Sequence, residues 1–179
     1  MFKAVLSRKN LSEFEEYYSC VSDLLNDENV LKLREFRHHL VTTRFQHSLN
    51  VSYYNYKLCK LFRLDAKSAA RAGLLHDLFF YNRKEHTNAE RSHAAEHAKI
   101  ALQNASALFP LNDVETDMIV NHMWPITTRL PRHGETYAIQ LVDKFCAVAE
   151  VVTSVLSTTE RKFRAAQAMA VLAFLHLNL

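Results

Sequence analysis

Glycine and proline, the residues that break helices and shape tight turns, are nearly missing from this chain. Gly73, Gly134, Pro110, Pro125 and Pro131 are the only ones in 179 residues. Four of the five fall between positions 110 and 134, so long stretches on either side can run as uninterrupted helices. A β meander needs turn residues at short intervals and is excluded. The composition predicts an all-α fold, and hydrophobic spacing divides it into about eight helices.

The length suits one domain with a full hydrophobic core and is too short for two, so residues 1–179 are expected to form a single helical domain. The formal charge of +3 comes from scattered Lys and Arg. That does not build a nucleic-acid surface, but it suits a small phosphate-bearing molecule. Cys20, Cys59 and Cys146 are widely spaced among apolar neighbours. They read as core residues in a reducing compartment, not as a disulfide framework. No run approaches the roughly 18 apolar residues of a membrane span, and Met1–Asn10 lacks a signal peptide's apolar core. The expected location is the cytoplasm.

Capping signals mark most helix starts. Ser12-Glu13-Phe14-Glu15 opens a helix over about 13–25. Asp27 opens a second, with Val30, Leu33, Phe36 and Leu40 on one face and His38 and His39 at its solvated C-terminal end. Thr43-Arg44-Phe45-Gln46 opens a third through about Phe62, and Asp65 caps the next, which ends at His76-Asp77. Phe79, Phe80 and Tyr81 read as an aromatic plug before a polar loop, Asn82–Asn88, suited to act as a lid. A helix over about 89–108 ends at Phe109-Pro110, and Asn112 starts a short one that breaks at Trp124-Pro125. The loop from Pro125 to Gly134, with Arg129, Arg132 and His133, is basic enough to close over an anion. A helix over about 135–157 follows. Ser157-Thr158-Thr159-Glu160 opens a last one, rich in Ala, Leu, Met and Phe, that suits packing or a homodimer face, with His176 structural.

Within this frame Leu74-Leu75-His76-Asp77-Leu78 stands out, an adjacent histidine and aspartate at the end of a helix rich in small residues (Ala69, Ala70, Ala72, Gly73). A neutral imidazole beside a carboxylate offers a divalent metal one nitrogen and up to two oxygens. Four more polar residues lie on inward helical faces. His47 shares a stripe with Val51, Tyr54, Leu58 and Leu61, and His122 ends one formed by Val114 and Met118. His97 lies on one side of its helix with His93, Ile100, Ala101, Asn104 and Leu108. Asp143 sits among Ile139, Val142, Cys146 and Ala147, where an unpaired carboxylate would be costly.

Any one of these alone would read as a satisfied core group. Together the six exceed what one tetrahedral structural zinc uses and match two metals sharing a bridging carboxylate. A mononuclear site would need only His47, His76, Asp77 and Asp143. The donors suit Fe, Mn, Co, Ni or Zn. Two ions about 3.5–4 Å apart can hold a bridging hydroxide as nucleophile, polarise a phosphoryl oxygen and stabilise the leaving oxygen, which leads to phosphoester hydrolysis.

From Arg44 to about Glu150 the chain resembles the HD-domain metal-dependent phosphohydrolases. The resemblance is carried by Arg-Phe-Gln-His-Ser-Leu at 44–49, Gly-Leu-Leu-His-Asp at 73–77 and His-Ala-Lys-Ile-Ala-Leu at 97–102. Asn-His-Met-Trp-Pro at 121–125 and Leu-Val-Asp-Lys at 141–144 complete it. It implies that His47, His76, Asp77 and Asp143 hold one metal and that His97 and His122 hold a second, with Asp77 bridging. It prefers His97 to His93, because the family's third histidine precedes an Ala or Gly by four residues, here Ala101. It makes Arg44 a phosphate-binding candidate and Lys144 a weaker one. One position departs from the pattern. Many members carry Lys or Glu three residues after the aspartate, where this chain has Phe80, so Arg83 or Lys84 substitutes from the loop or the substrate differs.

The implied activity is hydrolysis of a phosphoester or phosphoanhydride in a nucleotide or other small molecule. Two rivals remain: a di-iron oxygenase of the same superfamily, which resembles this chain in using the same six-ligand order, and a non-catalytic binding module.

Overall fold

The computed structural model describes residues 11–38, 42–81 and 90–176, by backbone alone over 90–95 and from 157 onward. Seven α-helices are present among the described residues: α1 (Leu11–Leu25), α2 (Glu28–Lys32), α3 (Arg44–Leu61), α4 (Ala66–Leu75), α5 (Glu90–Leu108), α6 (Asp113–Asn121) and α7 (Gly134–His176). A 3-10 turn, Leu33–Glu35, follows α2. Two residue pairs, β1 (Arg37–His38) and β2 (Thr42–Thr43), form a minimal antiparallel ladder in the register Arg37 with Thr43 and His38 with Thr42. The class is all-α, as composition predicts, with one helix fewer than expected.

The missing helix boundary is at Ser157. The chain has no Gly or Pro from 135 to 176, so nothing forces a stop, and α7 runs through the Ser-Thr-Thr-Glu motif as one helix of 43 residues. The side chains suggested as a dimer face there, and His176, lie outside the described side chains. The second expected helix is also corrected. It ends as an α-helix at Lys32 and as a 3-10 turn at Glu35, and the chain is extended from Phe36 to His38, where the periodicity predicts helix; His39 and Leu40 lie outside the described residues. The Arg44 N–H donates to the Phe36 carbonyl at 2.8 Å, and Arg37 and His38 pair with Thr43 and Thr42, so residues 36–38 bond to the start of α3 instead of continuing a helix.

Helix α3 is the central element, packed against α4 and α7. It is buried on most sides up to Cys59, but Leu61, expected on the inward stripe, is 74% exposed. The helix ends at Leu61, and the Arg63 and Leu64 N–H groups bond back to the Lys60 and Cys59 carbonyls at 3.3 and 2.9 Å, with Arg63 at φ 57°. This is the usual left-handed helix stop with arginine in the glycine position.

The small residues of α4 do what their size predicts. A Cβ at Gly73 would lie 2.7 Å from the Ser52 Cα of α3, and Ser52 Oγ and Asn55 Nδ2 donate to the Ala70 and Ala69 carbonyls at 2.6 and 3.0 Å. Gly73→Ala is expected to cost about 1–3 kcal/mol through overpacking, although Ala is the better helix former by about 1 kcal/mol. Urea denaturation in chelator measures it. A variant as stable as the parent would show that the two helices separate freely.

A candidate metal centre

Two of the histidines are aimed by the helix ends that carry them. His76 follows the last residue of α4, and its Nδ1–H donates to the Gly73 carbonyl at 2.8 Å. His122 follows α6 and donates in the same way to Ile119, also at 2.8 Å. The last carbonyls of a helix have no intrahelical partner. Each imidazole satisfies one of them and leaves its Nε2 lone pair facing the interior.

His47 is aimed from the opposite helix. Its Nδ1 lies 3.1 Å from Glu150 Oε1 and its Nε2 lies 2.9 Å from Asp143 Oδ1. Asp143 and Glu150 are seven residues apart on α7, two turns along one face. Asn50, one turn beyond His47, also donates to Glu150, and Gln46 donates to Asn50 at 2.8 Å. Glu150 is 5% exposed, and the resemblance did not single it out. The signal was present, since a carboxylate two turns from Asp143 on an unbroken helix shares its face.

Asp77 sits at the centre and uses its two oxygens in two directions. Oδ1 lies 3.4 Å from His97 Nε2 and 3.9 Å from His122 Nε2. Oδ2 lies 3.7 Å from His38 Nε2 and 3.9 Å from His76 Nε2. His76 Nε2 is also 3.9 Å from Asp143 Oδ1, and His97 and His122 face each other Nε2 to Nε2 at 2.9 Å. All six predicted ligands therefore lie in one cluster. The side chain of His93, the alternative to His97, lies outside the described side chains.

His38 corrects the sequence reading most directly. Expected on the solvated end of a helix, it lies on β1, with a side chain only 16% exposed and its ring stacked on His47 at 3.7 Å between centroids. Three overlapping triads, His38–His47–Asp77, His47–His76–Asp143 and His76–Asp77–His122, each bring potential ligand atoms within 4.8 Å of one another.

Burial and charge divide the protons among these groups. Burial would raise Asp77, but the surrounding imidazoles of His76, His97, His38 and His122 hold it well below the usual carboxylate range. Asp143 is held down against the same effect of burial, chiefly by His47. Burial would lower His47, yet hydrogen bonds to Asp143 and Glu150 hold it up at about 10. His122 is pushed down to about 3 by burial and by the neighbouring His97 and His76. It is thus a neutral donor.

These donors fit a metal. Ligand atoms about 2.0–2.1 Å from one ion lie about 2.9–3.4 Å apart when adjacent and up to about 4.2 Å apart when opposite, and the Nε2 and Oδ separations fall in that span. The neutral Nε2 of His122 aimed at another imidazole nitrogen 2.9 Å away is an arrangement that a shared cation satisfies.

The phosphate-binding candidates are placed differently. Arg44 is 2% exposed, and its Nη1 and Nη2 donate to the Phe79 and Tyr81 carbonyls while the guanidinium covers the Phe79 ring at 3.5 Å. Lys144 is exposed on α7, one residue past Asp143. Phe80 packs near Phe36, with ring centroids 6.3 Å apart. Arg83, Lys84 and the expected lid lie outside the described residues. In the basic loop, the Arg132 and His133 N–H groups and the Thr136 hydroxyl donate to Asp117 Oδ2 at 2.8, 3.2 and 2.6 Å. This ties the loop to α6.

Glu150→Gln is expected to leave the helical content intact and to weaken metal binding by about 10–100-fold, the usual effect of removing a carboxylate that orients a ligating imidazole. Competition with a chelating dye measures it. Unchanged affinity would mean that His47 is aimed without help from the Glu150 charge.

No curated protein and no solved structure gives a significant match to this chain. The family model for the HD domain, however, matches residues 44–149, more than half of the chain. The match begins at Arg44, just before His47, spans the His76-Asp77 pair and closes one residue short of Glu150, and on that span the chain belongs to the HD-domain family.

Proposed function

We propose that the protein is a dinuclear metal-dependent phosphohydrolase acting on a small phosphoester or phosphoanhydride, nucleotides among them. His47, His76, Asp77 and Asp143 would hold one ion and His97 and His122 the other, with Asp77 shared. The observation that carries this is Asp77, whose two oxygens face separate imidazole pairs. One carboxylate with a single ion would not need imidazoles on both sides. Divalent ions in such a site supply Lewis-acid stabilisation of phosphoryl oxygens and lower the pKa of water.

The chain's own residues supply the rest. His76 and His122 keep Nε2 directed inward by donating Nδ1–H to the chain, and Glu150 does the same for His47. Arg44 holds the Phe79–Tyr81 backbone beside Asp77. Lys144, exposed next to Asp143, is the side chain proposed to meet phosphate. No described helix is long and apolar enough to cross a membrane, which fits a substrate taken from solution.

Phosphate release from p-nitrophenyl phosphate and from nucleoside mono- and triphosphates, with Mn²⁺, Co²⁺ or Zn²⁺ added to chelator-treated protein, tests the reaction class. Metal-dependent release that His76→Ala abolishes is expected. Oxygen uptake by iron-loaded protein without phosphate release would select the oxygenase branch instead, and neither activity would point to a binding module.

A further inference from the structure

The six ligands of the proposed centre come from helices and their ends. His38 comes from the β1–β2 ladder and reaches the same cluster. Its Nε2 lies 3.7 Å from Asp77 Oδ2, close to the 3.9 Å that separates the same oxygen from His76 Nε2. Both distances lie within the span of two ligand atoms on one ion, at most about 4.2 Å when each is about 2.1 Å from the metal.

Its other nitrogen faces the carboxylate that His47 uses, but at a distance beyond a hydrogen bond. His47 Nδ1 lies 3.1 Å from Glu150 Oε1, and His38 Nδ1 lies 3.9 Å from Glu150 Oε2. The two rings stack at 3.7 Å with an interplanar angle of 19°. One buried carboxylate therefore stands behind two parallel imidazoles, and each imidazole presents its Nε2 to a carboxylate of the cluster, Asp143 for His47 and Asp77 for His38. His47 has the ordinary arrangement of a ligating histidine, an orienting carboxylate hydrogen-bonded to one nitrogen, and His38 is held beside it by the stacked ring.

The arm that carries His38 is fixed at its base. The Arg44 N–H donates to the Phe36 carbonyl at 2.8 Å, and Phe36 packs near Phe80 in the segment that follows Asp77. The ladder, the aromatic segment and the His76-Asp77 pair thus form one unit, with His38 partly exposed at its rim.

We propose that His38 is a seventh protein ligand, bound through Nε2 to the ion held by His47, His76, Asp77 and Asp143. This rests on the dinuclear reading above. A further protein ligand occupies a coordination position that substrate or water must otherwise take.

Titration of chelator-treated protein with Co²⁺ alone, followed by visible absorption and equilibrium dialysis, tests this without reference to turnover. Both His38→Ala and His38→Gln are expected to bind one of the two ions about 10–100-fold more weakly than wild type and to change the Co²⁺ absorption bands. Millimolar free imidazole should restore the wild-type bands in His38→Ala. Glutamine fills more of the site, so a fold defect confined to His38→Ala would not obscure the outcome. If wild type binds two ions and both variants match it in affinity and spectrum, His38 is not a ligand and the dinuclear reading survives. If wild type binds no Co²⁺, both fall together.

Discussion

Asp77→Asn is expected to deplete both metal ions and to lower phosphate release by at least about 10³-fold, a loss of roughly 4 kcal/mol of transition-state stabilisation. Each Asp77 oxygen faces its own pair of imidazoles, His97 and His122 on one side and His38 and His76 on the other. An amide keeps the volume and one carbonyl oxygen, but it removes the charge shared between the two ions and puts an NH₂ donor toward one of them. Asp143 and the imidazoles then face up to four positive charges at short range, and repulsion in a buried site disfavours holding both. Asp143→Asn, which touches only the His47 and His76 side, should deplete one ion and spare the other. Elemental analysis after desalting, alongside phosphate release, separates the two variants. Normal metal content in Asp77→Asn would show that the carboxylate does not bridge.

Arg44→Ala should destabilise the fold by about 3–5 kcal/mol. The guanidinium makes two charge-assisted hydrogen bonds to the carbonyls of Phe79 and Tyr81 and stacks on Phe79. Removing it leaves buried acceptors without a donor and the aromatic segment without its clamp. For a chain of this length the loss corresponds to a fall in Tm of roughly 10 °C. Arg44→Lys keeps the charge but not the planar fork and should fall between. Denaturation in chelator reads this term without the contribution of metal binding. The family resemblance makes Arg44 a phosphate-binding candidate, and the two roles give opposite results. Stability unchanged with a raised KM for the phosphate substrate would return Arg44 to the substrate.

Much of the frame is legible in the sequence because single side chains fix helix starts. Thr43, Asp65 and Asn112 each accept from a backbone N–H in the first turn of the helix they precede, and at Asn112 the full reciprocal box forms with Glu115. The inward polar residues are legible for a related reason. A histidine or aspartate on an apolar stripe needs a partner, and His47, His122 and Asp143 all find theirs in one cluster.

The same local logic failed where geometry beyond one helix decides. At Ser157 the capping signal met a chain with no Gly or Pro to stop α7, and the helix continued. Beyond Glu35 the apolar period of three and four persisted in sequence, but Phe36, Arg37 and His38 bond to the start of α3 and β1 formed. That one error hid His38, whose place beside Asp77 depends on a ladder of two residue pairs too short to show as alternation. Glu150 was missed because its partners, His47 and Asn50, lie a hundred residues away, and only its two-turn spacing from Asp143 pointed to it.

The central claim is that six imidazole and carboxylate ligands, one of them a shared carboxylate, hold two ions. Elemental analysis of protein purified without added metal, compared among wild type, His97→Ala and His122→Ala, tests it directly. About two transition-metal ions per wild-type chain and about one in each variant, with the helical fold retained, is the predicted result. One ion in all three proteins would contradict the account and leave a mononuclear site.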